Sequence, residues 1–269
     1  FKYGGVQTSI YNALRSSQSS SPYYNKSTNA YCYIGTEKPN HDVVIVGWDD
    51  SYSKDNFNTD LEGDGAFICQ NSWGDNFGEN GFFYISYYDT NIGTHNVVYT
   101  DIENTDNYDH IYQSDLCGWV GQLGYNKDSI YGANVFTAEG NETLKAASFY
   151  ATGKDSQYEL YVVRQFADES SLEKMIPVAS GKLGNAGYYT VDFNQGIEVD
   201  AGERYAVVLH IITPGSVHPM AIEYAADEAT ENVDLDDGES YISVNGSKWV
   251  SVDTVEKSNL CIKAFSDNR

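Results

Sequence analysis

Residues 69–86 read CQNSWGDNFGENGFFYIS, and residues 40–50, a little upstream, read NHDVVIVGWDD. Within them, DVVIVGW (42–48) is an apolar run bounded by polar residues, the pattern of a buried strand. AFICQ (66–70) and the glycine-opened, aromatic-rich GFFYISYY (81–88) repeat it. Three such strands describe a β-rich unit. They put His41 at the start of one strand and Asn71 at the end of the next, where the two can face each other across a sheet. An asparagine oxygen accepts from a ring N–H and selects the imidazole tautomer. An indole at Trp73 would keep water from competing for that bond. A base held in this way is what a thiol nucleophile needs.

NHDVVIVGWDD resembles the histidine segment of papain-like cysteine peptidases, and CQNSWGDNFGENGFFYIS resembles their asparagine segment. The likeness covers residues 3–90, with His41, Gly47, Asn71, Ser72, Trp73, Gly74, Gly78 and Gly81 falling into the pattern in order. It implies that His41 is the catalytic base partner, Asn71 its orienter and Trp73 the shield. Phe77 takes the place of a second aromatic, usually tryptophan, and YGGVQTSIYNAL (3–14) looks like the entry to the family's β-rich half. Two positions depart from the family. Asp42 follows the histidine where a small residue is usual; it would raise the histidine pKa if it pointed inward, and would have no such effect if it pointed to solvent. The nucleophilic cysteine of the family lies about 130–150 residues before the histidine, whereas 40 residues precede His41. The expected partners are therefore an N-terminal peptidase half carrying the catalytic Cys, cleaved or separate, and a peptide or protein substrate.

The four cysteines offer no clear substitute. Cys69 shares a strand face with Asn71 under period two, but reads better as a small core residue. Cys32 sits in a polar stretch and reads as a disulfide partner or a free thiol. Cys117 and Cys261 are candidates to pair with each other.

The net charge of −23 and the lack of any basic stripe argue against nucleic acid and anionic membranes. No run of 18 apolar residues exists to span a bilayer. An even cysteine count in a chain rich in Tyr, Asn and Ser points to an extracellular or cell-surface setting. Residues 1–100 carry 5 Lys+Arg and 11 Asp+Glu, so most of the acidity lies in the second part.

Twenty-three tyrosines and 24 glycines against two methionines favour β structure. Val6, Ile10 and Leu14, at i, i+4 and i+8, predict one short helix. The stretch DIENTDNYDH (101–110) reads as a linker. Beyond it the short runs LKAASFYA (144–151), QYELYVVR (157–164), GYYTVDF (187–193), RYAVVLHII (204–212), SYISVN (240–245) and NLCIKAF (259–265) predict an antiparallel β-sandwich or jelly roll. The expected fold is thus mainly β with a little α: a papain-like β-rich half at 1–100, the linker, and a sandwich at 111–269. The stretch YDHIYQSDLCGWVGQLGY (108–125), with NLCIKAF near the end, resembles the lectin-like domain that follows the peptidase in bacterial and archaeal papain relatives. The resemblance names a fold and leaves its ligand open, with a cell-surface glycan as one candidate.

No cofactor is expected, with calcium the one exception considered. DLEGDG (60–65) offers Asp60, Glu62, Asp64 and Gly65, but the twelfth position of an EF-hand loop would be Asn71 rather than a bidentate glutamate. DLDDGE (234–239) is a second, looser candidate. His95, His110, His210 and His218 have no metal-ligand spacing. The rival to a peptidase part is a non-catalytic binding module, in which the peptidase half has degenerated and the sandwich holds a carbohydrate or protein.

Overall fold

A computed structural model describes residues 2–269. The chain divides into two compact units, Phe1–Glu103 and Asn104–Arg269, and the boundary falls within the polar stretch 101–110. Asp109 and His110 already belong to the second unit: Asp109 N donates to Ser266 O and His110 opens a strand.

The first unit is a seven-stranded sheet of β1 (Val6–Ile10), β2 (Tyr24–Asn25), β3 (Ala30–Tyr31), β4 (His41–Asp49), β5 (Ala66–Gln70), β6 (Phe82–Ser86) and β7 (Thr94–Val97), in the order β2-β3-β6-β5-β4-β1-β7. Its pairings are antiparallel except β3 with β6. Ile10, Val43, Cys69, Phe77, Phe83 and Ile85 form one core cluster. Ala30, Cys32, Phe57, Leu61 and Ala66 form another beneath the long polar segment 49–65. That segment is folded rather than loose: Tyr52 stacks on Tyr84 with ring centres 4.2 Å apart, and Lys54 N donates to Asp64 Oδ1 at 2.9 Å.

The helix predicted from Val6, Ile10 and Leu14 is instead strand β1. It pairs residue by residue with β4, from Val6 opposite Ile45 to Ile10 opposite His41. Three apolar residues at helical spacing were too few to decide the matter. Val6, Thr8 and Ile10 are also β-branched and alternate, and a waiting partner strand settles such ambiguity. Among the described residues helix is confined to three short 3-10 turns, Lys54–Asn56, Glu169–Glu173 and Val252–Thr254, in keeping with the mainly β fold with little helix that was expected.

The second unit contains β8 (His110–Tyr112), β9 (Gly121–Leu123), β10 (Ser129–Thr137), β11 (Glu142–Ala151), β12 (Ser156–Val163), β13 (Ile176–Leu183), β14 (Gly187–Val199), β15 (Arg204–Ile212), β16 (Met220–Glu223), β17 (Ser240–Ser243), β18 (Val250–Ser251), β19 (Asn259–Leu260) and β20 (Ile262–Asn268). A six-stranded sheet, β13-β12-β15-β10-β17-β18, and a four-stranded sheet, β14-β11-β20-β8, contribute the inward residues of one core. Leu160, Val207, Leu209 and Ile211 come from the first sheet, and Leu144, Phe149, Ile262 and Ala264 from the second. Fully burying a side chain of this size contributes roughly 1.5–3 kcal/mol, so this core dominates the unit's stability.

Strand β10 lies at the centre of its sheet yet had no clear sequence signature, because Gly132 and Asn134 interrupt its apolar run. Both are explained by packing. A Cβ on Gly132 would sit 2.6 Å from Met220 Cε and 2.9 Å from Leu260 Cδ1. The buried Asn134 amide donates to Leu260 O at 2.9 Å and Ile262 O at 2.8 Å, and its oxygen accepts from Ser240. All four cysteines are free thiols, so the expected pairing of Cys117 with Cys261 does not occur; Cys117 is exposed and Cys261 buried.

Candidate active site

His41 is the first residue of β4 and Asn71 the first residue after β5, two strands paired antiparallel. This register brings His41 Nε2 to 3.0 Å from Asn71 Oδ1. An amide oxygen only accepts, so the bond selects the tautomer with the proton on Nε2. Nδ1 makes no hydrogen bond among the described residues and is the nitrogen left to take a proton.

Asn71 is 7% exposed, and its Oδ1 also accepts from Ser72 N at 2.8 Å. The backbone after it closes on itself: Asn71 N donates to Gly81 O, Gly81 N to Phe77 O, and Glu79 N to Phe82 O. Gly78 makes this turn possible. It has φ of 60°, and a Cβ there would lie 2.0 Å from Phe82 O. Trp73 lies over His41 with ring centres 5.5 Å apart and planes inclined by 33°. Phe77 supports Trp73 edge-on at 5.1 Å and is packed in turn against Phe83 and Tyr24. The indole is thus held by a chain of aromatic contacts running into the core.

Asp42 points away from His41. It stands opposite Ser9 in the β1–β4 register and accepts from Ser9 Oγ at 2.8 Å and Gln7 Nε2 at 3.0 Å. Neighbouring residues on a strand face opposite sides, so the carboxylate belongs to the far face of the sheet. Asn40 is a supporting residue that sequence reasoning missed. Its Oδ1 accepts from Asn12 N at 2.7 Å and its Nδ2 donates to Asn12 O at 3.2 Å. The side-chain amide thereby extends the β1–β4 ladder one rung past His41. The only signal for it was an asparagine beside the histidine.

Neither cysteine of this unit is placed as a nucleophile. Cys69 is 0% exposed within the Phe83–Ile85 core, and burial pushes its thiol far above the ordinary value. Burial, reinforced by Asp89, lifts Cys32 to about 12.

Residues 5–102 match the papain family cysteine protease profile, and residues 111–266 match the lectin like domain profile. The chain belongs to the lectin-like domain family, joined to a papain-family cysteine protease segment. Two solved structures show the same pair of units. The clostridial cysteine protease Cwp84 after propeptide cleavage is 29% identical, with a TM-score of 0.83, covering 100% of this chain and 66% of that one. The cysteine protease and lectin-like domains of Cwp84, a surface layer associated protein of Clostridium difficile, give 27% identity and a TM-score of 0.79, covering 99% and 59%. The chain therefore spans just under two thirds of the first and about three fifths of the second. No curated protein sequence matches significantly.

The calcium candidates fare differently from one another. Among the described residues, no three His, Cys, Asp or Glu side chains gather at one point. In the 49–65 segment Asp64 is engaged by Lys54 N. The 234–239 segment, however, meets Asn259. The buried Asn259 Nδ2 lies within reach of Ser114 O (2.8 Å), Asp234 O (2.9 Å), Glu223 Oε1 (3.1 Å) and Asp237 Oδ1 (3.3 Å). An amide nitrogen has two hydrogens, so four acceptors are more than it can satisfy. Among the described residues no helix is long and apolar enough to cross a membrane.

Proposed function

We propose that this chain is the histidine- and asparagine-bearing part of a secreted cysteine endopeptidase, completed by a segment that carries the nucleophilic cysteine. The observation that carries this reading is the His41 Nε2–Asn71 Oδ1 bond at 3.0 Å beneath Trp73, with Nδ1 left unengaged. In the complete site a thiol next to Nδ1 gives up its proton to His41, forming a thiolate–imidazolium pair. The thiolate attacks the scissile carbonyl, and His41 protonates the leaving amine. Water then releases the acyl group from sulfur, with His41 accepting its proton. Asn71 holds the ring orientation through both steps, and Trp73 keeps water off the orienting bond.

An extracellular or surface location is supported by the surface-layer association of the Clostridium difficile relative. The second unit is assigned to holding the enzyme at its site of action, with a cell-surface glycan as the proposed partner. Calcium is proposed as a structural ion of that unit, held by Glu223, Asp237, the Ser114 and Asp234 carbonyls and the flipped Asn259 amide. A bound ion there would tie together segments distant in sequence.

The test is to co-express the chain with a papain-family segment that bears the nucleophilic cysteine and measure hydrolysis of an unfolded protein substrate. The expected result is activity that a thiol-directed epoxide abolishes and that His41→Gln lowers by several orders of magnitude. A stable complex with a titratable thiol and no hydrolysis would leave the binding-module reading in its place.

A further inference from the structure

We propose that Ser129, in the second unit, is an activated nucleophile toward small, uncharged or cationic acyl esters, with His210 as its base and Glu159 as the group that orients the base. Ser129 Oγ lies 2.9 Å from His210 Nε2, and His210 Nδ1 lies 2.8 Å from Glu159 Oε2. These are the two contacts that define a serine–histidine–carboxylate relay, one on each ring nitrogen, and such a relay is recognised by geometry rather than by sequence position.

Rigid strands supply the three residues. Tyr131, His210 and Glu159 form one cross-strand row over β10, β15 and β12, and Ser129 stands two residues before Tyr131 on the same face. Each member is held in place. The Tyr131 ring stacks on the imidazole at 3.9 Å with planes 2° apart. Tyr161 donates its hydroxyl to Glu159 Oε2 at 2.9 Å. Hydrogen bonds from His210 and Tyr161 hold the Glu159 carboxyl below its ordinary pKa, which keeps it anionic. The His210 side chain is 13% exposed and that of Glu159 50%, so the base is sheltered while the relay still meets solvent.

An open groove of about 410 Å³ adjoins the imidazole and the carboxylate of the relay, lined by Gln157, Tyr158, Glu159, Ser180, Lys182 and His210 among others, but not by Ser129. It offers room for an acyl or alcohol group beside the imidazole. The turn that delivers Ser129 contains Asn126 with φ of 56°. Glu159 and a net charge of −23 disfavour anionic esters.

In the reaction, Ser129 Oγ bonds to the ester carbonyl carbon while its proton passes to His210 Nε2. The carbon–oxygen bond to the alcohol breaks, and the alcohol leaves with that proton. Water then adds to the acyl carbon and gives a proton to Nε2. The Oγ–acyl bond breaks, Ser129 recovers the proton, and the carboxylic acid departs.

The test uses the chain as it stands, incubated with a fluorophosphonate and, separately, with 4-nitrophenyl acetate. The expected result is one phosphonyl adduct mapping to Ser129, absent in Ser129→Ala. His210→Gln should slow labelling and ester turnover by about 100-fold or more, with circular dichroism unchanged and the unfolding midpoint lowered by no more than about 10 °C, so that the chain is still folded under the assay. The near-isosteric Glu159→Gln should give an intermediate loss. Iodoacetamide pretreatment should have no effect, which separates this activity from any cysteine peptidase chemistry. No adduct, an adduct on another residue, or wild-type labelling in His210→Gln would overturn the proposal and reduce the relay to a clamp between three strands.

Discussion

Replacing Asn71 by alanine tests whether the asparagine holds the histidine, and it can be read on this chain without any nucleophile. Asn71 Oδ1 accepts two hydrogen bonds, from His41 Nε2 at 3.0 Å and from Ser72 N at 2.8 Å, in a residue only 7% exposed. Each contributes roughly 0.5–1.5 kcal/mol net. The His41 bond favours one tautomer, and about 1.4 kcal/mol is a tenfold change in an equilibrium. Asn71→Ala should therefore weaken the preference for the Nε2–H form by about two- to twelve-fold. Losing both bonds should lower stability by about 1–3 kcal/mol, or at least about 4 °C in the unfolding midpoint of a unit this size. The assay is a long-range nitrogen–proton NMR correlation of the imidazoles, with His41 assigned by its loss in His41→Gln. The reasoning fails if His41 carries its proton on Nδ1 in the wild type, or if its tautomer ratio is the same in Asn71→Ala.

Three further outcomes follow from the packing and the charges. In the folded chain only the exposed Cys117 should react quickly with iodoacetamide, with Cys32, Cys69 and Cys261 reacting on unfolding; rapid labelling of Cys69 would revive it as a nucleophile. The buried Glu142 carboxyl is raised by burial but lowered further by bonds from Ser266, Tyr112 and Gly140, and ends below its usual value. Its stabilisation is complete above the unfolded-state value of about 4.3 and is lost as pH falls through the lower folded-state value. The gap in urea midpoint between wild type and Glu142→Gln should thus be widest near neutrality and close toward pH 3; a constant gap would contradict the assignment. Finally, millimolar calcium should raise the unfolding midpoint, the stability gain being about 2.7 kcal/mol at one hundred times its dissociation constant. Glu223→Gln should abolish the rise, and no shift in the wild type would remove the ion from the account.

Parts of this protein were legible in the sequence because they are local. NHDVVIVGWDD and CQNSWGDNFGENGFFYIS each encode a strand and its flanking turn. The residues of the candidate site are adjacent to the residues that shape the backbone, Gly78 above all. His41, Asn71 and Trp73 could therefore be named before any distance was known. So could the sandwich, since alternating short runs declare their own period. What the tertiary structure decided lies across strands. β1 became a strand because β4 offered it a partner. Asp42 was turned from the site by the register that set Ser9 and Gln7 beside it. Gly132 and Asn134 interrupt a central strand for the sake of Met220, Leu260 and Ile262. The Ser129–His210–Glu159 relay and the oxygens around Asn259 join residues separated by many tens of positions. Periodicity along one strand says which face a side chain takes, but not which residue of another strand it will meet. That is set by register, and register is settled only when the whole sheet is assembled and its core closed.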